Sequence, residues 1–131
     1  MFFRKTNSPA SNRQQSSGAI AEQKAFDYLI EKGLKPVTRN YRCRCGEIDL
    51  IMRDNNTLVF VEVRFRRSNS FGSAAATVSN SKQQRLRKTA AFYLQKQHIV
   101  PDCRFDVIGI SQTIHGNQSA FCVNWIQNAF Y

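Results

Sequence analysis

The chain has 131 residues and a mass of 15.0 kDa, enough for one domain whose core needs neither disulfide nor metal, and too little for two. A hydrophobic content of 42% with 11% aromatics excludes a largely disordered protein, and the most apolar run, Leu58 to Val63, is broken by Glu62 and falls far short of the roughly 20 residues of a spanning helix. Nineteen Lys and Arg against nine Asp and Glu give a net charge of +10, which concentrates polyanions and points to nucleic acid or an anionic surface as partner.

In chain order, residues 1–16 are rich in Ser, Asn, Gln and Arg and hold no acid, the composition of a flexible basic N-terminal arm. Met1-Phe-Phe-Arg-Lys is followed by polar residues and not by the apolar stretch of a signal peptide, so a cytoplasmic protein with reduced thiols is expected, with nucleoid association following from its charge. Residues 17–131 read as a single domain. Its first helix spans Ser17 to Lys32, with Ala25, Phe26, Leu29 and Ile30 at helical spacing and Gly33 at the exit. Three strands follow: Lys35–Arg44, Glu47–Met52 and Leu58–Arg66, the last two joined by a turn at Asp54-Asn55-Asn56-Thr57. Residues 67–78 read as a long loop around Gly72. A second helix begins at Ser79 or Ser81 and runs to about Gln97 with Leu86, Ala90, Tyr93 and Leu94 on one face. Strands Arg104–Ile110 and Phe121–Ile126, joined through a Gly-Asn-Gln turn, close the chain. The order α-β-β-β-α-β-β predicts an α/β sandwich, a central mixed sheet with an antiparallel start flanked by helices.

Four cysteines, Cys43, Cys45, Cys103 and Cys122, lack the second close pair of a zinc ribbon, although Cys43 and Cys45 share one face of an alternating strand. His98 and His115 read as surface residues without a role, and Phe130-Tyr131 as a core or dimer contact.

The acids are more informative. A two-residue turn at Asn55-Asn56 sets Glu47 opposite Arg64, a cross-strand ion pair, and Asp49 opposite Glu62. Two carboxylates at about 5 Å repel by roughly 3 kcal/mol at an effective dielectric of 20, a cost relieved by protonation or by a cation between them. Glu22, three and four residues before Ala25 and Phe26, continues the apolar stripe of the first helix. Glu22, Asp49 and Glu62 are therefore candidates to converge as hard oxygen ligands for Mg²⁺ or Mn²⁺. Lys82 holds the matching place on the second helix, four residues before Leu86. Read singly, each is open to a plainer account: Glu22 as a first-turn acid, Asp49 and Glu62 as solvated strand ends, Lys82 as a surface lysine.

Glu47-Ile-Asp-Leu-Ile, a turn, then Phe60-Val-Glu-Val-Arg resembles the Asp…Glu-x-Lys signature of the PD-(D/E)XK, or restriction-endonuclease-like, superfamily. Together with Gly18-Ala-Ile-Ala-Glu22, Arg39-Asn40-Tyr41-Arg42, Arg104-Phe-Asp-Val and Trp125-Ile-Gln-Asn-Ala-Phe130, it is similar to the YraN-like family of small bacterial proteins related to Holliday-junction resolvases. The resemblance implies a restriction-endonuclease-like sandwich, with Asp49 and Glu62 as metal ligands and Glu22 as the helix acid. It also implies a homodimer, because a four-way junction needs two symmetric cuts, although no coiled-coil signal marks one here.

Arg64 stands where the signature has Lys, and a guanidinium cannot act as a base. Lys82 is the candidate to supply the missing ammonium. Arg39, Arg42 and Arg44 on the first strand, Arg66 and Arg67 beyond the motif, and Arg85, Arg87 and Lys88 on the second helix are candidate phosphate contacts, with Phe71 as a stacking residue. Three functions stand open: a metal-dependent, structure-selective endonuclease acting on branched or single-stranded DNA; a nucleic-acid-binding module of the same fold without useful catalysis; and a protein-interaction module.

Overall fold

Helix α1 (Ser17–Glu31) starts where the Ser16 hydroxyl accepts the Ala19 N–H at 3.1 Å, which satisfies one of the free amides of its first turn. The structure, a computed structural model, describes residues 16–66, 78–98 and 101–131; the expected basic arm, apart from Ser16, therefore lies outside the described residues, as do Arg67 and Phe71. Gly33 adopts a φ of +100° behind α1, and Leu34 N–H returns to the Leu29 carbonyl at 3.0 Å, closing the helix where the sequence predicts its exit.

Three strands follow, β1 (Lys35–Cys43), β2 (Gly46–Asp54) and β3 (Thr57–Arg66), then α2 (Asn80–Gln95), β4 (Asp102–His115) and β5 (Gln118–Phe130). The elements come in the predicted order. Asn55 at φ +55° makes the two-residue turn that sets Asp54 opposite Thr57. The sheet runs β1-β2-β3-β4-β5, antiparallel except for β3–β4, which are parallel and joined through α2. This is the mixed, helix-flanked α/β architecture of a restriction-endonuclease-like fold.

The last two strands depart most from expectation, β4 running to His115 and β5 from Gln118 to Phe130 where Ile110 and Phe121–Ile126 are the expected bounds. Residues 111–120 continue as strand, with Ser111 opposite Cys122 and His115 opposite Gln118, and turn at Gly116 with φ +61°. This outer hairpin lies beyond the core, so it carries no apolar alternation to mark it as strand. Phe130 is buried and stacks on Phe105 at 5.0 Å, whereas its neighbour Tyr131 is 88% exposed.

Each face of the sheet packs one helix. Ala21, Ala25 and Leu29 of α1 lie on Leu50, Met52, Val59, Val61, Ile108 and Ile110, while Leu86 and Ala90 of α2 lie on Ile48, Ile51, Leu58, Phe60 and Val107. Ile48 and Leu50 thus face opposite helices although two residues apart, so the alternation of β2 slips at Asp49. The slip has a partner in β1. The β1–β2 ladder pairs Arg39 with Leu50 and Tyr41 with Ile48 but omits Asn40, which has φ +52°. Arg39 accordingly lies over Phe26 of α1, and Tyr41 meets Tyr93 of α2 edge-on.

Candidate active site

A cavity of about 200 Å³ opens between the β1–β2 hairpin, β3 and the start of α2, lined by Gly46, Glu47, Asp49, Glu62, Lys82, Arg85 and Leu86. Lys82 is held in the first turn of α2, where its amide donates to the Ser79 hydroxyl at 3.1 Å. The opposite wall is bare backbone: Gly46 has φ +153°, and a Cβ there would stand 3.1 Å from Thr89 Oγ1 and 3.9 Å from the Arg85 carbonyl. Glycine fits because it needs neither the side-chain space nor the backbone conformation that other residues favour.

Glu62 is 4% exposed in the middle of this wall. Lys82 Nζ approaches its Oε2 at 3.1 Å and Arg64 Nη1 at 3.5 Å. Asp49 is not set against Glu62 in the ladder as the sequence pairing predicts, since the β2–β3 pairing ends at Leu50 opposite Val61. Its Oδ2 instead accepts the Val63 N–H at 2.8 Å, a side chain standing in for the next backbone rung. Burial, then the nearby Glu62 charge, pushes the Asp49 carboxyl up to about 7 against the pull of that hydrogen bond, with Glu22 and Glu47 adding further negative field.

Glu47 differs from expectation too: its ion pair is to Arg42, directly across the β1–β2 ladder at 3.1 Å. A hairpin partner on the other side of β2 had been invisible without the register of β1. Glu22 stands apart from the cavity that Asp49 and Glu62 line. It is half-buried, does not line the cavity, and accepts the Asn40 side-chain amide at 2.9 Å. Among the described residues no group of three His, Cys, Asp or Glu side chains is gathered as a metal-binding cluster. Two hard ligands remain available. Every described contact to Glu62 falls on Oε2 and the one hydrogen bond to Asp49 falls on Oδ2, so Oε1 and Oδ1 have no partner among the described residues. Asp49 and Glu62 both line the cavity, and two carboxylates fit a Mg²⁺- or Mn²⁺-like ion, which takes one or two protein carboxylates and completes its octahedron with water or phosphate.

The other predicted basic residues are dispersed. Arg39 is held over Phe26 at 4.4 Å and bonds Gln23 at 3.2 Å. Arg42 is committed to Glu47; Arg87 is tied to Gln83 and the Tyr131 carbonyl and lies over Phe130. Arg44, Arg85 and Lys88 are exposed, Arg66 is half-buried, and of these only Arg85 lines the cavity. Cys43 and Cys45 flank the hairpin turn, the Cys45 N–H donating to Cys43 Sγ at 3.3 Å. Burial pushes the Cys43 thiol up, yet the Cys45 and Gly46 amides, with Thr89 beside them, bring it below its ordinary value.

Sequence reasoning missed Asn40 and Asp106. Asp106 is fully buried and accepts from Arg104 Nε at 3.0 Å, Trp125 Nε1 at 2.9 Å and the Asn128 N–H at 2.9 Å. Asn128 has φ +54°, and the β4–β5 register shifts there between Phe105 and Val107. The signal was an acid in the middle of an apolar strand with Arg two residues before it, which a core tolerates only when fully paired.

The family profile described as "Uncharacterised protein family UPF0102" matches residues 21–110. A UPF0102 protein of Aeromonas hydrophila is 51% identical over 119 residues, 88% of this chain and 85% of its own length. One of Psychromonas ingrahamii is 46% identical over 115 residues (88% and 89%), and one of Alcanivorax borkumensis 44% over 125 residues (94% and 98%). Matched over most of its length and carrying the motifs placed above around one cavity and one buried carboxylate, the chain belongs to the UPF0102, or YraN-like, family of PD-(D/E)XK type.

Proposed function

We propose that the protein is a divalent-metal-dependent endonuclease that hydrolyses phosphodiester bonds in branched or single-stranded DNA. The observation that carries this reading is the pairing of a buried Glu62 with an Asp49 pushed up to about 7, in a cavity that also receives Lys82 and Arg85. A cavity that crowds carboxylates until one resists ionising is suited to a cation. Asp49 and Glu62 would hold Mg²⁺ or Mn²⁺; when bound, such an ion polarises the phosphate and lowers the pKa of its water. The chain's own residues do the rest. Lys82 neutralises Glu62 and stands at the cavity wall, where its ammonium balances charge developing on a phosphate oxygen. Arg64 contacts the same carboxylate but stays protonated, so it holds charge and moves no proton. Arg85 lines the cavity, where it would grip the phosphate, and the absence of a base-reading element among the described residues favours recognition by shape.

The test is incubation with branched, duplex and single-stranded DNA and RNA, with and without Mn²⁺. Cleavage of a branched or single-stranded DNA is expected, abolished in Asp49→Asn and reduced at least 100-fold in Lys82→Ala. No cleavage of any substrate, or equal cleavage by Asp49→Asn, overturns the reading; full activity in Lys82→Ala removes that residue from it. Arg64 in the signature's lysine position favours a second reading, a binding module that keeps the fold without catalysis. That module binds DNA with an affinity falling steeply in salt, yet cuts nothing.

A further inference from the structure

Asp49 occupies a gap in two ladders. On the β3 side, pairing stops at Leu50 opposite Val61. On the β1 side, the register runs unshifted from Arg39–Leu50 to Tyr41–Ile48 but skips the Asn40–Asp49 pair between them. The omission comes from the backbone of Asn40, whose φ of +52° turns the strand over, so that Arg39 lies on Phe26 of α1 and Tyr41 on Tyr93 of α2. Asparagine is among the few residues with a side chain that enter the left-handed region readily. The same residue extends its amide to Glu22 Oε1 at 2.9 Å, joining β1 to α1 at the level of Asp49. Glu22 is thereby tied to the strand position level with Asp49 while it stays outside the cavity lining.

We infer that Asn40 is a positioning residue of the metal site, a role that rests on the endonuclease reading above. Its left-handed backbone releases Asp49 from the β1 ladder, and its carboxamide anchors Glu22 as an outer carboxylate that strengthens the hold of Asp49 and Glu62 on a divalent cation. Glu22 acts through its place and its charge, since it is not among the ligands.

Binding of Mn²⁺ alone, followed by electron paramagnetic resonance and calorimetry, tests this without reference to cleavage. Asn40→Gly keeps the backbone conformation and removes the amide. It should melt within a few degrees of the wild type yet bind Mn²⁺ about three- to tenfold more weakly. Glu22→Gln should weaken binding by a similar factor. The double variant should be no weaker than the stronger single effect, because the two residues act as one device. Wild-type affinity in Asn40→Gly, or losses that multiply in the double variant, overturn the assignment while leaving the metal site standing. A wild-type protein that binds no Mn²⁺, with Asp49→Asn indistinguishable from it, overturns the metal reading and this inference together.

Discussion

Asp106 and Glu62 are buried carboxylates on neighbouring parallel strands, at 0% and 4% exposure, and their surroundings differ in kind. Asp106 is enclosed by donors fixed to the fold: the Trp125 ring nitrogen, the Asn128 amide and an Arg104 that is itself pinned to Asp54 at 3.1 Å. Both of its oxygens are satisfied, and no cavity reaches it among those lined by described residues. Glu62 has cations on one oxygen only, brought by two long side chains about a third exposed, with a second acid beside it and a cavity in front. The difference separates a carboxylate that holds a strand in place from one held ready for an exchangeable partner. Burial alone does not tell them apart; the rigidity and completeness of the donors do.

Substitution at Asp106 should give the largest effect. Asp106→Asn leaves Arg104, Trp125 and Asn128 facing an amide, and urea unfolding should show a loss of about 3 kcal/mol or more. A loss below about 1 kcal/mol would erase the distinction drawn here.

Asp49→Asn should act with the opposite sign. Below about pH 3 the Asp49 carboxyl is largely neutral whether the chain is folded or not, so it costs little. As pH rises towards 7 the unfolded chain ionises first, and the folded state loses relative stability until its own carboxyl ionises. Asparagine keeps an acceptor for the Val63 amide and removes that penalty. The variant should be more stable than the wild type by about 1–3 kcal/mol at pH 8.5 and by less than about 0.5 kcal/mol at pH 4, because partial exposure screens the full shift. A variant less stable than the wild type at pH 8.5 would contradict the assignment.

A smaller effect sharpens the same contrast at two thiols. Cys43 ends β1 at the hairpin turn, with its thiol below the ordinary value, while Cys103 lies on β4 near Arg104, its thiol raised by burial and by the Asp102 charge. Peptide mapping after brief iodoacetamide treatment at pH 7 should find Cys43 alkylated at least threefold faster than Cys103, although Cys103 is the more exposed. The reverse order would mean that accessibility governs both.

Much of this arrangement was legible in the sequence. Helical spacing and the Asn55-Asn56 turn placed all seven elements, and the hairpin register was right from Asp54–Thr57 to Leu50–Val61. Lys82 stood out from its place on an apolar stripe as a candidate ammonium, and its Glu62 partner at 3.1 Å emerged only from the structure. What failed did so where strands stop behaving regularly. A strict period of two extended the ladder through Asp49, opposed it to Glu62 and gave Glu47 to Arg64, because nothing in the alternation announces that Asn40 turns the neighbouring strand over. Likewise Asp106 read as one more acid until a second left-handed asparagine, at 128, delivered an amide to it. An asparagine within an otherwise regular strand was the unused clue in both places.

Gly46 carries a consequence for α2. The distance between the β1–β2 hairpin and α2 is gauged by a missing methyl group, since the nearest neighbours of that empty position are Thr89 and Arg85. A methyl group there would stand 3.1 Å from Thr89 Oγ1, a few tenths of an ångström too close, with Arg85 at 3.8 Å behind it, on a backbone whose φ of +153° side chains rarely adopt. The closeness of hairpin and helix along this wall thus depends on the one residue lining the cavity that has no side chain to contribute.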